Sequence, residues 1–315
     1  MIVKRNFHPA RVWAYIRRPM WIVMIWSSLI WGIQLLIPAW NLALSFSPIG
    51  ILGSALAIFI AFRNNAAYAR WWEASQIWEG IVNASRVLAR LVITFTDSHA
   101  HQENYDAARS EAFKRSMVRA GIAWAHALRF HLRGQDEWER LKSYLPQEDY
   151  NAFLAAQNKP NYLQLLMGKR IYIAMGNGTL GGFDSFQMEG QLLALAKGQG
   201  AAERIKHTPL PRQYDFFTRL FVLLFSLLLP FGLLSLLPQT EGFDLSWLII
   251  PLSILLAGVF VIMERTGAAN EAPFENKVTD VPLTALCNTI ERDLMEMLGE
   301  KPLPEKMQAV NGYLF

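Results

Sequence analysis

Asp97, His99, His101 and Glu103 place four metal-ligating side chains within one short stretch. Imidazole and carboxylate together form a donor set that suits zinc or another transition ion. No second ligand-bearing motif accompanies them and the surroundings are polar, so a solvated loop is the better reading. His126 and His131 are five apart, a spacing that does not put both rings on one helical face. Asn177-Gly178-Thr179 fits the glycosylation acceptor pattern, which is irrelevant if this stretch is cytosolic. No Walker sequence, dinucleotide fingerprint, nucleophile elbow or paired-carboxylate arrangement occurs. The chain therefore reads as a non-enzyme, with no cofactor and no metal site expected. Cys287 is the single cysteine, which excludes an intrachain disulfide and a cysteine-rich metal centre.

The elements that carry these residues divide into apolar and polar stretches. Of 315 residues, 52% are hydrophobic and 18% charged, a balance that fits neither a pure membrane bundle nor a soluble enzyme. A net charge of +4 is too small to argue for nucleic acid. Hydropathy gives four candidate spans, at about 20–39, 48–62, 216–237 and 245–262. The second is short, which is tolerable for a helix shielded by protein. Pro230 lies within the third and Pro251 interrupts the fourth, and the spans contain no acidic residue. Several of the eleven tryptophans sit near the ends of these runs and fit interfacial anchoring, the others core packing.

Lys4, Arg5, Arg11, Arg17 and Arg18 precede the first span, and the segment 63–212 is rich in arginine. The link 41–47 is uncharged, and Glu241 and Asp244 alone mark the link between spans three and four. The positive-inside rule then puts both termini and the long middle segment in the cytosol. The first apolar run is too long and starts too late for a cleaved signal peptide. The resulting division is 1–62, with the first two spans; 63–212, cytosolic; 213–264, with the last two; and 265–315, cytosolic.

Apolar spacing predicts helices over Ala107 to Arg133, Asp136 to Leu145, Gln147 to Ala156 and Lys159 to about Gly176. Asn177 to Gly182 is a break, after which a helix resumes from Phe186 to Lys197. Sustained alternation is missing, so almost no sheet is expected.

Ile51 to Phe62 is almost wholly apolar, and Arg63 then opens a polar and aromatic run with no proline or glycine up to Ala74. One helix carrying both would leave lipid and continue into water unbroken. Ser54, Ile58 and Phe62 recur every four residues and share a stripe of that helix. Gly50 and Gly53 would admit close neighbours. Several copies about a symmetry axis would make the stripe a ring around a pore, which isoleucine and phenylalanine would gate by dewetting. Packing of Ile58 and Phe62 against helices or lipid satisfies the same periodicity.

Three blocks carry a resemblance. The first is Phe59-Ile-Ala-Phe-Arg-Asn-Asn-Ala-Ala-Tyr-Ala-Arg-Trp-Trp-Glu-Ala74, followed by Trp78 and Asn83-Ala-Ser-Arg86. The second is Glu203-Arg-Ile-Lys-His-Thr-Pro-Leu-Pro211, leading to Leu229-Pro-Phe-Gly232. The third is Asp280-Val-Pro-Leu-Thr-Ala-Leu-Cys-Asn-Thr-Ile-Glu291, continuing to Met297-Leu-Gly-Glu300. Together, in this order, they closely resemble prokaryotic bestrophins over nearly the whole chain.

That resemblance implies an all-α homopentamer with four membrane helices per subunit, a helical cytosolic region and one central pore. It also implies membrane lipids and permeating ions as partners, and an inner-membrane location. Carried over, the pore neck is Ser54, Ile58 and Phe62, with serine where a bulky aliphatic residue is common. The family also narrows at its cytosolic exit, which maps to Phe183 with Leu180 as neighbour. Small monovalent ions would pass, anions such as chloride by the family's prevalent behaviour. A monovalent cation channel is the alternative, and a secondary transporter a more distant one. Eukaryotic relatives hold calcium after the fourth span. Here that stretch offers only Glu275 and Asp280 around Lys277, too few oxygens for a calcium cage.

Overall fold

The computed structural model describes residues 1–4, 9–103, 105–237, 239–240 and 243–315, with backbone alone at 9–12, 239–240 and 243–244. Arg5 and Glu241, used above for orientation, lie outside the described residues, and the side chains of Arg11 and Asp244 do so as well. The chain forms two units: Lys4–Arg70 with Pro209–Glu271, and Met1–Val3 with Trp71–Thr208 and Ala272–Phe315.

The first, span-bearing unit holds α1 (Pro9–Leu36), the first part of α2 (Phe46–Ser98), α7 (Arg212–Leu236) and α8 (Ile249–Asn270). Among the described residues, four helical stretches are long and apolar enough to cross a membrane: Trp13–Leu36, Phe46–Ser98, Arg212–Leu236 and Ser246–Asn270. They bury an inner face that includes Met20, Ile49, Leu56, Ile60 and Leu229. Indole N–H groups bridge the helices: Trp26 donates to the Leu227 carbonyl at 2.9 Å and Trp31 to Ser246 Oγ at 3.0 Å. Pro251 falls in the first turn of α8, where its missing N–H has no partner to lose, so it starts this helix rather than interrupting it. Pro230 does sit inside α7 and removes one bond of its ladder. A two-residue ladder between β1 (Gln239–Thr240) and β2 (Phe243–Asp244) links the last two helices.

The second unit is built around α3 (Ala107–Arg133), a helix buried along most of its length. Its small residues Ala120, Gly121, Ala123 and Ala127 admit close neighbours, and Trp124 among them is fully buried, its indole N–H donating to Gln199 Oε1 at 3.3 Å. Asp106 caps its start by accepting the Arg109 N–H at 3.0 Å, and Gly134, at φ 62°, ends it in the left-handed region. Around it lie the rest of α2, α4 (Gln147–Ala155), α5 (Lys159–Gly176), α6 (Gly182–His207) and α9 (Leu283–Met297). Cys287 is enclosed between α9 and α3, where burial pushes its thiol up to about 12.

Two further expectations need correction. Asp136 to Leu145 contains only a 3-10 turn, Trp138–Leu141. Trp138 is held edge-on by Phe130 and Phe153, with centroids 5.7 and 5.8 Å away, and these contacts outweigh a short segment's weak helical tendency. By contrast, α6 starts earlier and ends ten residues later than the expected Lys197. Its glycines do not stop it, because Gly198 faces Ile81 so closely that a Cβ would lie 2.7 Å from Cγ1. Packing requires glycine here and outweighs its poor helix propensity. Among the tryptophans, Trp78 and Trp124 are fully buried, while Trp21, Trp40 and Trp247 are exposed.

Candidate pore-lining site

α2 runs for 53 residues without a break, about 80 Å at the usual rise. Within the span-bearing unit its two faces differ sharply. Gly53, Leu56, Ile60, Arg63 and Ala67 alternate in steps of three and four and are all buried. A Cβ on Gly53 would lie 2.8 Å from Phe225 Cε2, so glycine lets α2 and α7 approach. Gly50, by contrast, faces only Phe46 of its own helix.

Ser54, Ile58 and Phe62 all lie on the other face and are exposed, Ile58 at 59% and Phe62 at 70%. Ser54 turns its hydroxyl back onto the Gly50 carbonyl at 3.0 Å, spending its proton on its own helix. The stripe therefore offers apolar surface and one hydroxyl oxygen, with no charge. Large apolar side chains left open along one helix face mark a surface made for lipid or another protein chain.

Arg63 follows Phe62 directly, and the 100° step between neighbours turns it into the unit. Its side chain is 2% exposed and gathers three carboxylates: Asp215 at 2.6 Å, Glu264 at 3.6 Å and Glu271 at 3.8 Å. Nη1 also donates to the Glu264 carbonyl at 3.1 Å. Arg219 adds a second cation, 2.9 Å from Asp215 and 3.6 Å from Glu264. Next along α2, Asn64 donates to the Met263 carbonyl at 2.9 Å, and Gly267 leaves the space its side chain fills. The rotation of α2 about its axis is thus fixed against α7 and α8 just beside Phe62. Asn65, in contrast, is exposed.

Reading the spans as free of acidic residues missed this cluster. α8 continues past Ile262, the end set by hydropathy, and buries Glu264 at 8% exposure. The one sequence signal was Arg63 itself, a charge at the end of an apolar helix face.

In the other unit, Leu180 in the turn before α6 and Phe183 in the first turn of α6 are held differently. Leu180 is 3% exposed and packed into the core, whereas Phe183 is 70% exposed with its ring 6.5 Å from Phe95. Of the two, only Phe183 has a side chain free to line a passage. Asn177 Oδ1 accepts from the Thr179 N–H at 3.1 Å and from its hydroxyl at 2.7 Å, which shapes the turn. Asp184 then reaches back to the Gly181 N–H at 2.8 Å.

Asp184 is also held by His99 Nε2 at 2.6 Å, and Gln102 contacts the other ring nitrogen at 2.8 Å. His99 is therefore a half-buried brace of this turn, where a solvated loop residue was expected. Asp97 pairs with Lys114 instead. Among the described residues no group of three or more His, Cys, Asp or Glu side chains is placed to hold a metal. Glu275 pairs with Lys206 at 2.7 Å, and Asp280 accepts the Lys277 N–H at 3.0 Å, so the two carboxylates beside Phe274 are already engaged.

With this geometry in place, the comparisons identify the class. Residues 6–296 match the family described as Bacterial/Fungal Bestrophin protein. The chain belongs to this bestrophin family and is a membrane protein. It is 35% identical over 264 residues to the voltage-dependent anion channel-forming protein YneE of Escherichia coli, covering 84% of this chain and 80% of that one. It is 31% identical over 267 residues to the voltage-dependent anion channel-forming protein RSc3414 of Ralstonia nicotianae, covering 84% and 81%. Among solved structures, a bacterial bestrophin homologue from Klebsiella pneumoniae superimposes with a TM-score of 0.79 at 29% identity, covering 91% of this chain and 100% of that one.

Proposed function

We propose that this chain forms a homopentameric anion channel in the bacterial inner membrane, with both termini cytosolic. The observation that carries this reading is the exposed apolar stripe of Ser54, Ile58 and Phe62, opposite a face locked against the same subunit. Five copies would turn each residue into a ring, with Ser54 outermost and wettest and with Ile58 and Phe62 as the hydrophobic barrier. Phe183 would narrow the cytosolic exit. Residues 1–62 and 213–264 would form the bilayer part, and 63–212 and 265–315 the cytosolic part. An uncharged neck does not select by sign. The names of YneE and RSc3414 support anions over the monovalent-cation alternative. No turnover chemistry is invoked: ions would move down their electrochemical gradient.

Purified protein in planar bilayers tests this. In a sodium chloride gradient, unitary current steps should reverse near the chloride equilibrium potential. Reversal near the sodium potential would favour the cation alternative, and saturable flux without unitary steps would favour a transporter.

A further inference from the structure

Arg129 on α3 is only 4% exposed, and its Nε is enclosed without a hydrogen-bond acceptor. Among the described residues no carboxylate stands within ion-pair distance of it. The acidic groups that act on it electrostatically include Glu137 and Glu291, and both are engaged elsewhere. Glu137 pairs with Arg140 at 2.8 Å, while Glu291 takes His126 at 3.2 Å and the Tyr144 hydroxyl at 2.5 Å. Burial works against the charge of Glu291, but these two hydrogen bonds, with the charges of His126 and, more weakly, Arg129, outweigh it and hold the carboxyl below its ordinary range. The Phe130 ring lies 4.4 Å from the Arg129 guanidinium, which eases the charge but accepts no N–H in the plane of the fork.

One turn further along α3, Arg133 is also largely enclosed. It donates to Thr284 Oγ1 at 2.6 Å, and its Nε lacks an acceptor too. Burial, and then the charge of Arg129, press its pKa down to about 10. Among the described residues, two arginines one turn apart on the same helix thus have no carboxylate within ion-pair distance. A guanidinium stays charged in proteins, and burying it unpaired is costly. The arrangement makes sense if something anionic completes it.

There is room for that group. Arg129 lines a cavity of about 220 Å³ between α3 and α9, together with His126, Arg140, Tyr144, Thr284 and Asn288. We propose that this cavity is a binding site for a small oxyanion, a carboxylate- or phosphate-bearing molecule, with Arg129 as its principal partner. The planar fork of N–H donors suits two oxygens of one group better than a spherical halide. The Thr284 hydroxyl accepts from Arg133, which leaves its own proton for a ligand oxygen. The volume matches roughly seven waters at the liquid share per molecule, enough for phosphate or a short dicarboxylate. Glu291 on the wall favours singly charged oxyanions such as acetate over dianions such as succinate. The inference rests on this unit alone and is independent of ion conduction.

Full-length protein in lipid nanodiscs is titrated with sodium phosphate, acetate and succinate against sodium chloride at constant ionic strength. Thermal unfolding and titration calorimetry are the readouts. At least one oxyanion should raise the unfolding temperature and give saturable heat, and chloride should not. Arg129→Met should weaken that binding roughly tenfold or more, the loss expected for a charge-assisted hydrogen bond. The same variant without ligand should unfold no lower than the parent, because it removes an unpaired buried charge. Arg129→Lys, which keeps the charge but loses the fork, covers the case in which Arg129→Met does not fold, and it too should bind more weakly. No saturable response in the parent overturns the proposal, including the case where a neighbouring copy fills the cavity. Undiminished binding in either variant overturns it as well.

Discussion

At the scale of single residues, Phe62 and Arg63 are adjacent in sequence and opposite in environment. Phe62 is 70% exposed and Arg63 is 3% exposed. A buried arginine is tolerable here because Asp215, Glu264 and Glu271 surround it, and removing it would leave three clustered carboxylates with only the more exposed Arg219 and Arg212 as cations. Arg63→Ala is expected to destabilise the protein by about 3–5 kcal/mol, seen as a lower unfolding temperature of the detergent-solubilised protein. The opposite face makes a different prediction. Ile58→Ala combined with Phe62→Ala should raise unitary conductance by making water easier to keep in the neck. Bilayer recordings at matched incorporation check this, and unchanged or smaller current steps would contradict the barrier role.

At the scale of elements, α2 is the decisive one, since a single helix supplies both a span and a wall of the α3-centred core. Trp78 and Ile81, fully buried there, lie on the same helix as the exposed Ile58 and Phe62. α6 meets α2 at Gly198 and Ile81, and no side chain fits between them. Gly198→Leu should cost about 1–3 kcal/mol through overpacking, although leucine is the better helix former. Chemical denaturation followed by circular dichroism would register the loss. A variant as stable as the parent would show that the two helices can move apart freely.

At the scale of the whole molecule, an exposed apolar stripe in one chain needs either lipid or further copies to cover it, and ring closure does so while leaving a passage. The segment after α8 bears on regulation. Lys206 takes Glu275, and the backbone N–H of Lys277 takes Asp280, so few oxygens remain for a hard cation that needs about six or more. Adding calcium at micromolar levels, or chelating it, should leave the current unchanged. Strong activation by calcium would show that these carboxylates rearrange to bind it.

The sequence by itself determined the helical class, the four apolar stretches, the continuation of α2 past Phe62 through the absence of proline and glycine up to Ala74, and the stripe of Ser54, Ile58 and Phe62. These are local properties: periodicity, hydropathy and stop signals act within a few turns. Only the tertiary structure decided which face of α2 turns inward, that Leu180 is core while Phe183 is open, and that His99 braces the turn before α6. The same is true of Arg63 with Asp215 and of Arg129, which has no carboxylate at ion-pair distance among the described residues. Charge pairing and burial depend on residues from distant parts of the chain meeting in space. A sequence pattern records which side chains are present, and only packing sets the partners that each one finds or lacks.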